Sequence, residues 1–201
     1  MPNIFEFAQK YTLENKRVIL EPLTGNNSTH LLHFSLYEPN IWPFSLFPMD
    51  GEDNFKKYIA AALHSRAQQV AYPFIVFDKL YGEYAGSTRF YDIQFNNSSL
   101  QLGYTWYGSK YQGTGLNKNC KYLLLEFAFE KMGMERVEFR ADVNNLQSVA
   151  AMKSIGCTVE GILRSNVPNA AGGRRDSIVL SILKHEWFDR VKSNLSACIQ
   201  L

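Results

Sequence analysis

Apolar and polar positions regroup along the chain in a way that marks out one element after another. Residues 17–21 form a short run around Val18, Ile19 and Leu20 closed by Pro22, and Thr24-Gly25-Asn26 then offers a turn and a cap for a helix reaching about Tyr37. Residues 38–49 contain three prolines and the string Ile41-Trp42-Pro43-Phe44. Proline fixes φ and removes a donor, so this stretch is predicted to be an irregular apolar connection. Asp53 is placed to cap a helix over 54–69, where Phe55, Tyr58, Ile59, Ala62 and Leu63 recur on one face. Three β-rich runs follow, 72–78, 84–93 and 100–107, joined by turn-length segments, and they read as an antiparallel meander. Residues 118–131 return to helical spacing with Leu123, Leu124, Phe127 and Ala128 inward, ended by Gly133. A strand over 136–143 comes next, and this strand, helix, strand order is a crossover that makes the strands at 100–107 and 136–143 parallel. A helix over 145–155 stopped by Gly156, strands over 158–167 and 176–183 around a loop at 168–173, and a short helix over 185–194 complete the pattern. The reading is a mixed α+β fold with a mostly antiparallel seven-stranded sheet and flanking helices.

Composition narrows the class of molecule. A chain of 201 residues fits one domain, taken as 1–201 with its core at about 17–190. The net charge of +2 is spread over 21 basic and 19 acidic residues, which argues against a nucleic-acid stripe or a polybasic membrane anchor. Cys120, Cys157 and Cys198 are odd in number and far apart, so neither a disulfide framework nor a metal site is expected, and a reducing cytoplasm fits. The first ten residues lack the order of a secretory signal, and no apolar run approaches the ~18 residues that span a bilayer. A cytoplasmic protein without membrane contact is expected.

Between the strand at 100–107 and the helix at 118–131 stands Gln112-Gly113-Thr114-Gly115-Leu116-Asn117. Glycines let a backbone approach an anion, and the first free amides of a following helix point at it with a favourable dipole, so the string reads as a phosphate cradle. By itself it fits an ordinary turn as well. With Asn144-Asn145-Leu146-Gln147-Ser148, Glu160-Gly161-Ile162-Leu163-Arg164 and Arg175-Asp176-Ser177, and with the element order, the chain resembles the GNAT (Gcn5-related) N-acetyltransferases of the RimJ/RimL-type branch over about residues 17–190.

The resemblance implies acetyl-CoA as co-substrate, lying where the fourth and fifth predicted strands splay apart. It assigns the cradle to Gln112, Gly113, Thr114, Gly115, Leu116 and Asn117, with Asn117 standing where the family carries a small residue. It assigns the pantetheine-binding strand to Tyr104, Thr105 and Trp106. Ser148 becomes the candidate donor to the departing sulfur. Asn144 is either a pantetheine contact or a helix cap. Glu160 is either the general base or the partner of an arginine. Gln101 stands where related enzymes carry glutamate, and an amide takes no proton. Trp42, Phe44 and Tyr91 are assigned to the acceptor wall. The implied activity is transfer of acetyl to a primary amine, on a protein N-terminus or a small molecule, with a homodimer left open. A non-catalytic acyl-CoA-binding module is the alternative, as is transfer of another acyl group such as succinyl, which basic residues near the thioester would favour.

Overall fold

The computed structural model describes residues 5–170 and 172–199, so Ala171 of the expected 168–173 loop lies outside the described residues. Eight strands form one sheet: β1 Leu13–Glu14, β2 Val18–Pro22, β3 Ala71–Asp78, β4 Glu83–Gln94, β5 Ser99–Tyr107, β6 Arg136–Asp142, β7 Thr158–Pro168 and β8 Arg174–Leu183. Their order is β1-β2-β3-β4-β5-β6-β8-β7. Only β5 and β6 run parallel; the other neighbours are antiparallel. All seven expected strands are present. The eighth, β1, pairs over two residues with β2 and is too short to carry a period-two signal.

The helices differ from expectation chiefly at their ends. The first is broken into α1 Gly25–Ser28 and α2 Leu32–Tyr37 by a 3₁₀ turn at Thr29–Leu31, and Thr24 with Asn27 closes a capping box at its start. The second, α3 Gly51–Ala67, begins three residues before Asn54. Asp53 is therefore not its cap; with Glu52 it places negative charge in the first turn, where it complements the helix dipole. Next come α4 Leu116–Glu126, which runs into a π turn at Phe127–Lys131, and α5 Leu146–Ser154. The last elements among the described residues are α6 Lys184–Glu186, a π turn at Trp187–Val191, and α7 Lys192–Cys198, which lies against α4. Trp187 is fully buried there and donates its indole N–H to Glu130 Oε1 at 2.8 Å.

The helices cover the two faces of the sheet. Phe55, Tyr58, Ile59 and Ala62 of α3 are buried on one side, against β3. The continuation of α4 covers the other, where Phe127 stacks on Phe90 with centroids 6.3 Å apart. Because side chains alternate along a strand, β4 sends Phe90 to the α4 face while Arg89 meets Tyr58 on the α3 face.

One glycine of β4 is sterically required. A Cβ on Gly86 would lie 2.0 Å from the carbonyl oxygen of Trp106 and 2.9 Å from Cα of Tyr107, backbone that cannot swing aside. Gly86→Ala is expected to destabilise the fold by at least about 2 kcal/mol through overpacking. A denaturation midpoint equal to wild type would show that β5 can yield at this point.

Candidate active site

The site begins with a pair of strands that part company. β5 and β6 pair at Ser99 with Arg136, Leu100 with Val137 and Gln101 with Glu138, and no further. From there β6 stays with β8 as far as Asp142, while β5 stays with β4. Along β4 the register runs from Arg89 opposite Gly103 to Ser87 opposite Trp106, so Tyr104 and Thr105 together face Thr88. This is a β-bulge, which bends the strand that carries it. Tyr104 accordingly sits at φ +50°, in the left-handed region. A gap opens between residues 102–107 and 139–142, with the edge of β5 toward β6 unpaired.

Tyr104 and Thr105, adjacent on the strand, point to opposite faces of the sheet. Tyr104 lies on the α3 face, 5.0 Å from the Tyr91 ring centroid and covered by Arg89 at 4.1 Å. Thr105 lies on the α4 face, its hydroxyl 2.8 Å from that of Thr88 and accepting a 2.8 Å hydrogen bond from Lys121 Nζ. Trp106 donates to Tyr58 Oη at 3.3 Å. Sequence reasoning did not identify Lys121. It reaches from α4 beneath the gap, 5.9 Å from the Phe139 ring on β6, and burial pulls its pKa down to about 8. Its position inside a helical run gave no signal of this.

The loop after β5 has the form of a cradle. Gly113 and Gly115 take φ +73° and +86°, a conformation that side chains rarely adopt, and Leu116 begins α4. The main-chain N–H groups of 113–117 donate to no protein acceptor among the described residues. Side chains fix the loop around them. Gln112 Nε2 donates to the Tyr107 carbonyl at 3.0 Å, Thr114 Oγ1 to the Tyr111 carbonyl at 2.7 Å, and Arg17 Nη2 to Thr114 Oγ1 at 3.4 Å. Asn117 accepts from the hydroxyl of buried Tyr107 at 3.2 Å, which explains how a residue larger than the family's fits this corner. Five unengaged amides at a helix N-terminus suit a pyrophosphate.

The N-terminus of α5 joins this loop, since Gln147 Nε2 donates to Gln112 Oε1 at 3.3 Å. Ser148 stands in the first turn, where its main-chain N–H is capped by Asn145 Oδ1 at 3.0 Å. The cap is therefore Asn145. Asn144 is turned to Asp142, with its N–H and its Nδ2 both on Oδ1 at 2.9 and 3.0 Å. Glu160 is in a different place. It lies on the outer strand β7, accepts from Arg136 at both carboxylate oxygens, one at 2.6 Å, and accepts from Ser181 Oγ at 2.7 Å. The Arg136 guanidinium holds its carboxyl down at about 2. Arg136 pairs with Ser99, at the closed end of the strand pair. The structure thus favours the ion-pair role of Glu160, and a carboxylate so strongly acidic is a poor base near neutral pH.

Trp42 and Tyr91 pack against different β5 residues on the α3 face. Trp42 packs edge-on against Trp106 at 5.2 Å, and Tyr91 packs on Tyr104 and under Gly103, where a Cβ would meet its ring at 2.9 Å. Phe44 lies partly exposed in the same 42–49 connection. Burial pushes the phenols of Tyr91 and Tyr104 up. Gln101 donates to Asp92 Oδ2 at 2.8 Å. A separate cavity of about 240 Å³ lies between α5 and the C-terminal helix, with Lys153, Ile155, Arg190 and Cys198 in its wall, and holds none of the candidate residues. No helix among the described residues is long and apolar enough to cross a membrane, and no cluster of three or more His, Cys, Asp or Glu among them is placed to hold a metal.

Comparison with known proteins bears on the family and the fold. YdaF of Bacillus subtilis (strain 168), provisionally named a ribosomal N-acetyltransferase, is 29% identical over 106 residues, which cover 53% of this chain and 57% of YdaF. The chain thus spans little more than half the length of that relative. A crystal structure from T. thermophilus, provisionally named an acetyltransferase, superposes with a TM-score of 0.81 at 30% identity, covering 94% of this chain and 97% of that one. Mycobacterium smegmatis RimJ, solved in complex with CoA-disulfide, shares the fold with a TM-score of 0.78 at 18% identity, covering 94% and 93%. The family model described as the acetyltransferase (GNAT) domain matches residues 17–158, and the chain belongs to the GNAT acetyltransferase family.

Proposed function

We propose that this protein is an N-acetyltransferase that moves acetyl from acetyl-CoA to a primary amine, with a protein N-terminus as the acceptor. The observation that carries the reading is the run of unengaged amides at 113–117, on the loop that follows the stretch of β5 no longer paired with β6. The co-substrate would supply an activated acetyl thioester. The amides of Gly113 to Asn117 hold its pyrophosphate, and the free edge of β5 at Tyr104, Thr105 and Trp106 hydrogen-bonds its pantetheine arm. Lys121 sets positive potential beneath the gap, where charge develops, and Ser148 donates a proton toward the leaving sulfur. Asn144 flanks the same opening.

The acceptor assignment rests on proton chemistry. Glu160 is held by Arg136 and Ser181, and Gln101 is an amide, so neither candidate relieves an ammonium of its proton. The amine must then arrive largely neutral. An α-amino group of pKa about 7.7–8.0 is neutral to roughly a tenth or more near pH 7, whereas a lysine near 10.4 is neutral to less than a thousandth. This favours N-termini over lysine side chains, and the naming of YdaF points the same way. Positioning supplies much of the remaining rate enhancement. A cytoplasmic location goes with such an acceptor.

Three variants test the parts separately. Gly115→Glu is expected to abolish acetyl-CoA binding through conformation and charge, and retained affinity by calorimetry would overturn the cradle. Ser148→Ala is expected to lower turnover about a hundredfold or more, in the range of a lost proton donor, with coenzyme affinity kept; an unchanged kcat removes Ser148 from the mechanism. Glu160→Gln is expected to leave turnover near wild type and to reduce stability. The carboxyl titrates at about 2 in the fold against an ordinary 4.5, so its contribution is complete above about 4.5 and fades as pH falls toward 2. The stability difference between wild type and Glu160→Gln should shrink across that window in urea titrations, and a constant difference would refute the ion-pair role.

A further inference from the structure

Three buried side-chain polar atoms among the described residues have no hydrogen-bond partner: Trp42 Nε1, Arg89 Nε and Arg89 Nη2. Both residues lie on the α3 face of the bulge, linked through Trp106 and Tyr58. Trp42 abuts Trp106 at 5.2 Å, Trp106 bonds Tyr58, and Arg89 lies 4.9 Å from the Tyr58 ring and 4.1 Å from that of Tyr104. Arg89 is 5% exposed and forms no ion pair with any described carboxylate.

The rings and the N–H groups of this arrangement do different things. Aromatic faces stabilise the charge of a guanidinium through its flat sides, but its hydrogens project in its plane and stay unsatisfied. Nε and Nη2 form one edge of that plane, the edge that grips a carboxylate with two parallel bonds. The same chain shows this elsewhere: Arg17 uses Nε and Nη2 on Asp78 at 2.9 and 2.8 Å. Arg89 presents the same edge with no protein group on it. Gly103, its register partner, precedes the bulge residue Tyr104, and the guanidinium lies over the ring of that residue. Half-buried Arg175 also acts electrostatically on Tyr91 and Tyr104, which adds to the positive character of this face.

We propose that Arg89, assisted by the Trp42 indole N–H, is a carboxylate-binding subsite, so that the substrate pair contains a carboxylate. Two sources share this chemistry: the far end of a dicarboxylic acyl thioester, or an acidic side chain next to the acceptor's amine. The inference rests on the transferase reading and extends it to substrate class.

Calorimetry separates the sources. One arm compares succinyl-CoA with acetyl-CoA on the free enzyme. The other compares two peptide amides, identical except for an N-terminal aspartate or asparagine, on the CoA-loaded enzyme. Wild type is expected to prefer the carboxylate member of one pair by about tenfold or more, the range of a charge-assisted hydrogen bond, and the pair that responds names the source. Arg89→Met should abolish that preference and keep acetyl-CoA affinity. Without ligand it should melt at or above the wild-type temperature, because a buried unpaired charge is replaced by apolar volume. Trp42→Phe, which keeps an aromatic ring and loses the N–H, should weaken the preference. Wild-type indifference in both pairs, or a marked loss of stability in Arg89→Met, overturns the subsite. Failure of acetyl-CoA itself to bind wild type would overturn the transferase reading; acetyl-CoA binding without carboxylate preference overturns only the subsite.

Discussion

The rest of the molecule is arranged around a backbone conflict that the fold leaves unresolved on one edge. β5 begins as a parallel partner of β6, yet the bulge at Tyr104 and Thr105 locks it to β4 along a curved path, while β6 is committed to β8 down to Asp142. The two strands cannot satisfy each other past Gln101 and Glu138. Main-chain groups left without partners are costly, and a sheet does not open in its middle without cause. Here the opening is tied to steric facts: Gly86 admits the backbone of Trp106 at a distance no other residue permits, and Tyr104 holds a left-handed φ. The strain is local, and past Gln101 it leaves the β6-facing edge of β5 unpaired. Such strain persists only where the surroundings over-determine it, and the antiparallel pairing on the outer side of each strand does so.

That single divergence sorts the chemistry into layers. The glycine loop and α5 meet at one end through Gln112 and Gln147. On the α4 face, Thr88, Thr105 and Lys121 make a polar floor; on the α3 face, Arg89 lies against the rings of Tyr58 and Tyr104, which Trp106 and Tyr91 in turn contact. Because successive side chains in a strand point to opposite faces, two adjacent bulge residues serve both layers. A regular strand would have placed the same residues in register with β4 and closed the gap.

Much of this order is legible in the sequence because it is local. The seven longer strands, the glycine loop and the crossover that makes β5 and β6 parallel follow from periodicity and turn chemistry within windows of a few residues. What was missed is set by partners far along the chain. Glu160 meets Arg136 only because β8 inserts between β6 and β7, an order that no local pattern specifies. Asp53 reads as a cap because a capping side chain and its helix are recognised by composition, whereas the true start lies at Gly51, where φ is +78°. Arg89 and Lys121 sit inside ordinary strand and helix patterns. The fact that matters about each, burial without a counter-charge, belongs to the tertiary environment alone.

Three cations allow a last comparison. Arg17 is paired with fully buried Asp78 and touches Thr114, so its charge is neutralised and its work is to hold the glycine loop against the sheet. Lys121 has one neutral partner, and its ammonium is weakened by burial. Arg89 has two aromatic faces and an unsatisfied edge. A buried charge costs several kcal/mol unless it is paired, so a fold selected for stability alone would have placed apolar side chains at the last two positions. Both flank the bulge, one on each face. The unpaired cost is therefore concentrated where developing or incoming negative charge would be met, and the cation whose desolvation Asp78 offsets is the one that braces the frame.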